Sequence, residues 1–222
     1  MTAARRSGAS RERILEAAAE VVSEHGYAGT TIARITERCG LPASSVYWFF
    51  EDKDELLAAV VLHHYEGWLE RRPQWRPVGP GEDLVAVLDE LLRPWFRDLG
   101  EATAYLRLGQ SLLLEPREHD SAARTRFVAL RREGMQVFEE WFATELRRSG
   151  AAGERPPEEV AAELARLLVV ATDGLVLSHR AGEGLDSDLF LDLLLDTVAE
   201  VLQGAADRPA GTAGDRTDRM GR

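Results

Sequence analysis

The chain has almost no lysine, one cysteine and no long apolar run. Of its 27 basic residues a single one, Lys53, is lysine. Cys39 is the lone cysteine, which excludes an intrachain disulfide and a cysteine cluster for zinc. No uncharged apolar stretch approaches the ~20 residues that a membrane-spanning helix requires. The opening "MTAARRSGAS" carries two arginines without the apolar segment of a signal or anchor. A reducing, cytoplasmic setting with no membrane partner is therefore expected. Positive charge is also scarce. The formal net charge of −11 over 222 residues argues against a polyanion-binding surface spread over the whole chain. Period-two alternation is missing, which excludes a sheet and leaves an all-α fold. Enzyme signatures are missing as well. There is no Gly-rich phosphate loop, and "GQSLL" lacks the Gly-x-Ser-x-Gly spacing of a nucleophile elbow. His63 and Glu66 stand three apart beside His64, but a metal needs further ligands that nothing nearby supplies. No catalytic residue, metal or cofactor is expected.

What is present is helical periodicity and an uneven charge. Residues 1–50 hold six arginines against five glutamates, so the remainder carries about −12. Only the first segment leaves a polyanion unrepelled. Ser10 can cap a first helix with Ile14, Ala18, Val21 and Val22 on one face, ended by Gly26. Thr30 or Thr31 opens a second helix with Ile32, Ile35 and Cys39 on its apolar side, stopped by Gly40. "LPASSVYWFF" is a third, with Pro42 near its first turn. Asp52, with Glu55 as a capping box, opens a fourth that halts at Pro73. "PQWRPVGPGED" is a loop. Five more helices follow, the first of which Pro94 should kink or break. The expected division is a disordered basic arm at 1–9, a three-helix unit at 10–57, a larger helical domain at 58–204 and a disordered tail at 205–222. That makes about nine helices.

Three short helices joined at glycines are the signature of a helix-turn-helix. Val46 and Phe50 on the third would pack on Ile32, Ile35 and Val22. Its other side carries Ala43, Ser44, Ser45, Tyr47 and Trp48. Small hydroxyls suit a groove, and an exposed Tyr–Trp pair needs a cover. Lys53 stands at the first turn of the fourth helix, where the helix dipole and an ammonium together would attract a phosphate. The alternative is a solvated three-helix bundle with an aromatic corner.

The stretch "TTIARITERCGLPASSVYWFFEDKDELL" resembles the tetracycline-repressor (TetR) family of transcription regulators. The resemblance rests on Gly29-Thr30-Thr31, Ile35, Gly40, Ser45, Tyr47, Phe50, Lys53 and Leu56-Leu57 and covers about residues 10–57. It implies a dimeric, all-helical regulator with DNA bound at the N-terminus and a ligand pocket in the C-terminal domain. It also implies Thr31, Ser44, Ser45, Tyr47, Trp48 and Lys53 as DNA contacts, with Tyr47 and Lys53 on phosphates and Ser44, Ser45 and Trp48 near bases. Phe49 stands where many members have a polar donor. It can meet a thymine methyl or sugar, or turn inward. Arg5, Arg6 and Arg11 could add an arm along the DNA backbone.

Beyond residue 58 the last two helices are informative. Asp188, Asp192, Asp196 and Glu200 form one acidic stripe, while Leu189, Phe190, Leu193, Leu194, Val198 and Val201 fill the rest of the circumference. With Leu164, Leu168, Ala171 and Leu175 of the preceding helix, the residues Phe190, Leu194, Val198 and Val201 would form a four-helix homodimer interface. A buried hairpin within one chain is the other reading. Trp95, Tyr105, Phe127, Phe138 and Trp141, with Gln110, Arg131 and Asp173 as polar groups, are candidates to line an apolar ligand pocket or an ordinary core. The function expected is a regulator, a repressor released from palindromic double-stranded DNA by a small apolar effector. A helical carrier or enzyme that retains an inactive helix-turn-helix is the alternative.

Overall fold

The computed structural model describes residues 3–70, 72–99, 104–114 and 121–207. Among them are nine helices and no strand: α1 (Ala3–Gly29), α2 (Ile32–Cys39), α3 (Ala43–Phe49), α4 (Lys53–Leu69), α5 (Leu84–Asp98), α6 (Ala104–Leu114), α7 (Ala122–Ser149), α8 (Pro157–Ala181) and α9 (Ser187–Asp207).

Two compact units form, and they do not follow a boundary after residue 57. The first takes residues 1–72 and 101–133, the second residues 73–100 and 134–222. All of α4 therefore belongs with α1–α3, and α6 joins them, packed on α1 and α4. The reason is the buried row Leu56, Leu57, Val60, Val61 and Tyr65 along α4, which is one continuous apolar face that a break at 57 would divide.

In the first unit Ile14, Leu15, Ala18, Val21 and Val22 of α1 form the core with Ile35, Val46 and Phe50. Ile32 is only half-buried. Helix α1 starts earlier than expected. It runs back to Ala3, so Ser10 lies inside it and residues 3–9 are helical rather than an arm, in keeping with the strong helix formers Ala3, Ala4, Arg5 and Arg6. The turn at Gly26 is as expected: φ of 68° and ψ of 176° interrupt the helix there. The carbonyls released by the kink find new donors. Thr30 Oγ1 donates to the Gly26 carbonyl at 2.7 Å, and Lys53 Nζ donates to that of Tyr27 at 3.2 Å.

In the second unit α5 packs along α9, and α8 along α9. Helix α5 runs unbroken through Pro94. Buried Leu92, Trp95 and Phe96 hold it on both sides of the missing N–H, and Arg93 and Arg97 tie it to α9. Arg97 Nε donates to Asp188 at 2.9 Å, and Arg93 donates to Asp192 at 2.6 Å. Half of the acidic stripe on α9 is thus an ion-pair seam within one chain. Residues 205–207, expected in the tail, complete α9, and residues 208–222 lie outside the described residues. No helix among the described residues is long and apolar enough to cross a membrane.

Candidate nucleic-acid interface

The helix-turn-helix is built by local chemistry. Thr31 is the N-cap of α2 and accepts from the Arg34 N–H at 3.3 Å. Gly40 closes the helix at φ 65°, with its N–H on the Thr36 carbonyl; the left-handed position favours glycine. Pro42, extended at φ −66° and ψ 154°, is the N-cap of α3. Val46 is fully buried beneath α3, which contributes about 1.5–3 kcal/mol to holding the helix down. Asp52 caps α4 by accepting from the Glu55 N–H at 2.8 Å. The Glu55 carboxylate reaches Glu51 N–H, one residue beyond the expected capping box.

With Val46 and Phe50 turned inward, the rest of α3 faces out. Trp48 is 81% exposed and Tyr47 57%. Thr31 and Ser44 are exposed, while Ser45 and Phe49 are half-buried. Ser44, Ser45, Trp48 and Phe49 line a surface cavity of about 390 Å³, together with Ser7 and Ser10 of α1. Those two serines were not legible as site residues, because their nearness to α3 depends on α1 extending past Ser10. Phe49 turns partly inward, with its ring 6.3 Å from that of Phe50.

Most nearby cations already hold the fold. Arg13 donates to the Cys39 carbonyl at 2.6 Å. Arg34 donates to that of Gly29. Arg38 pairs with Glu20 at 2.8 Å and Glu24 at 2.7 Å, and its hydrogen bond holds the Glu24 carboxyl below its usual pKa. Arg11 lies 5.5 Å from the Phe50 ring centroid. The side chains of Arg5 and Arg6 lie outside the described residues.

Lys53 is tied down as well, which the sequence did not foretell. Besides its bond to the Tyr27 carbonyl, Nζ stands 4.3 Å from the Tyr27 ring centroid. Tyr27 in turn donates its hydroxyl to Asp54 at 2.8 Å, and the other Asp54 oxygen accepts from the Ala122 N–H at the start of α7 at 2.6 Å. An ammonium has three donors and the Tyr27 carbonyl uses one, so a phosphate contact is compatible with this anchor.

The family model of bacterial regulatory proteins of the tetR family matches residues 14–60. SrpR, an HTH-type transcriptional regulator of Pseudomonas putida, is 32% identical over 117 residues, 49% of this chain and 52% of SrpR, so the chain spans about half the length of that relative. TtgW, another HTH-type transcriptional regulator of Pseudomonas putida, is 32% identical over 117 residues, again 49% of this chain but 82% of TtgW. The chain belongs to the TetR family. Its backbone also matches the crystal structure of a TetR-type regulator from Streptomyces avermitilis with a TM-score of 0.59, at 26% identity, over 88% of this chain and 97% of that one.

In this TetR-family chain the eight candidate ligand residues fall into two groups. Tyr105 and Phe127, with Gln110 and Arg131, belong to the first unit; Trp95, Phe138 and Trp141, with Asp173, belong to the second. All five aromatics are buried. Tyr105 lies 5.1 Å from both Tyr65 and Phe127, ring to ring, and burial raises the Tyr65 hydroxyl pKa. Phe127 covers Gly109 so closely that no Cβ fits there. In the second unit Trp75, missed in the sequence, joins Phe138 at 5.3 Å and Trp141 at 5.1 Å. Trp141 donates its indole N–H to the Arg76 carbonyl at 2.8 Å. None of the eight lines a second cavity of about 390 Å³, which is bordered by Val78, Leu84, Glu145, Ser149 and Leu202.

The residues expected at a subunit interface divide by their burial in the single chain. Leu164, Leu168, Leu175, Leu194 and Val198 are buried within the single chain. Ala171, Phe190 and Val201 are half-buried, and Phe190 stacks on Phe96 at 6.4 Å. Among the described residues, the large apolar side chains left exposed on α8 and α9 are Val170, Leu177, Leu189 and Leu193. Both helices are apolar around most of their girth, so periodicity alone could not say which side meets the chain's own core. Val170 and Leu177, seven residues apart, were the available signal.

Proposed function

We propose that this TetR-family chain is a cytoplasmic, homodimeric transcription regulator that binds palindromic double-stranded DNA and represses. The observation that carries the reading is the outward face of α3: large aromatics at 57% and 81% exposure beside exposed hydroxyls, on the helix that a helix-turn-helix presents. Ser44, Ser45, Trp48 and Phe49 meet base edges, while Thr31, Tyr47 and Lys53 hold the backbone. Two protomers join through Val170, Leu177, Leu189 and Leu193, with the helices α8 and α9 of each forming a four-helix interface. Two-fold symmetry then sets half-sites about one turn (~34 Å) apart.

A small, largely apolar effector releases the operator by preferring a conformer whose heads no longer match the two half-sites. That preference has to amount to several kcal/mol. Aromatic groups of the kind such an effector uses are Tyr105 and Phe127 in the first unit, and Trp95, Phe138 and Trp141 in the second.

The test is retention of fragmented DNA from the source genome on the purified protein at two salt concentrations, followed by sequencing. A recovered palindrome supports the reading. Weak, sequence-blind retention at both salts would refute it and favour a helical carrier.

A further inference from the structure

Helix α3 reads "ASSVYWF". It has no arginine, lysine, asparagine, glutamine, aspartate or glutamate, the side chains that read guanine, adenine and cytosine edges most specifically. Its outward side offers hydroxyls, aromatic surface and, at its first residue, the small methyl of Ala43. Ser44 and Trp48 share a helical face at i, i+4, as do Ser45 and Phe49. All four line one cavity with Ser7 and Ser10. That cavity combines donors that rotate to suit their acceptor with two aromatic walls, one of them the most exposed aromatic of α3.

In the major groove a thymine presents an O4 acceptor beside a C5 methyl. Hydroxyl donors match the first, and an indole or phenyl wall matches the second. Cytosine places an N4 donor where thymine has O4, and it has no methyl. A serine hydroxyl can donate or accept, so it tolerates either base; the aromatic walls carry the choice. Resting on the DNA-binding reading above, we propose that Trp48 and Phe49 are specificity-determining residues that select thymine, so that the operator is read through thymine methyl groups at A·T pairs under α3.

The experiment uses the operator recovered from the genome, synthesised with uracil in place of thymine at one half-site position at a time. Uracil keeps O4 and loses only the methyl. Affinity is measured by fluorescence anisotropy for the full-length protein and for W48A and F49A. A methyl buried against an aromatic wall corresponds to a roughly three- to four-fold loss on conversion to uracil. The wild type should show that loss at one or more positions, and W48A or F49A should become indifferent to uracil at those same positions. Trp48 is exposed, so W48A removes no core contact; its thermal midpoint should match the wild type. Wild-type affinity unchanged by uracil at every position would overturn the inference. So would uracil sensitivity that persists undiminished in both variants. Failure to recover any operator appears before uracil is introduced. It would overturn the DNA-binding reading and the inference with it, which separates the two failures.

Discussion

Replacing Lys53 by methionine separates the anchor on Tyr27 that the structure shows from the proposed phosphate contact. Methionine keeps most of the apolar stem and removes the ammonium. What is lost inside the protein is a bond of 3.2 Å to the Tyr27 carbonyl and a cation–π contact at 4.3 Å. A charged hydrogen bond contributes about 1.5–3 kcal/mol when well shielded, and an exposed cation–π contact about 0.5–1 kcal/mol. Lys53 is half-buried, so solvent screening places the sum near about 1–2 kcal/mol. For a chain of this size that lowers the thermal midpoint by about 3–6 °C. A second assay reads the other role: the slope of log affinity for the operator against log salt. If Lys53 also neutralises one phosphate, the slope falls in magnitude by about 0.9, and affinity drops for all DNA sequences alike. An unchanged thermal midpoint would refute the Tyr27 anchor. An unchanged salt slope with a lowered midpoint would make Lys53 wholly structural and remove it from the DNA contacts.

Three other outcomes are expected. Gly109→Ala should destabilise the first unit by about 1–3 kcal/mol, because the new methyl would fall within the Phe127 ring; a denaturant midpoint equal to the wild type would contradict the packing. Hydrogen bonding to Arg97 holds the Asp188 carboxyl below the ordinary aspartate range. A depressed carboxyl stabilises the fold above its unfolded value and loses that contribution as pH falls through its folded value. The α5–α9 seam should therefore weaken only below about pH 4, and Arg97→Ala should flatten the acid limb of a stability–pH curve; an unaltered limb would count against the seam. Leu189→Asp with Leu193→Asp should leave a folded monomer, since each leucine would contribute about 1.5–3 kcal/mol to the proposed interface and both are exposed in the single chain. Sedimentation showing a persistent dimer would move the interface elsewhere.

Much of the helical layout was readable because short-range chemistry sets it. Thr31, Gly40, Pro42 and Asp52 act within one turn of themselves, and each caps or opens a helix where its residue type predicts. Pro94 and Ser10 show the limit of that reasoning. A proline interrupts an isolated helix, but Leu92, Trp95, Phe96 and two arginine–aspartate pairs keep α5 continuous. Ser10 is a sound cap that goes unused, because α1 already begins at Ala3. The α8–α9 pair shows a different limit. Two helices apolar on most sides leave the exposed stripe undetermined until the protomer core is packed.

The residues 30–57, by their capping signals and apolar spacing, determined the helix-turn-helix, the inward turn of Val46 and Phe50 and the outward turn of Tyr47 and Trp48. These depend on neighbours three or four residues apart, which a linear sequence displays. Only the tertiary structure decided that Lys53 rests on Tyr27, that Ser7 and Ser10 border the recognition helix, and that half of the acidic stripe on α9 is paired with α5. Those partners stand 26 to 99 residues apart along the chain. Contacts at that range leave no periodic trace, because they are chosen by how whole helices bury their faces.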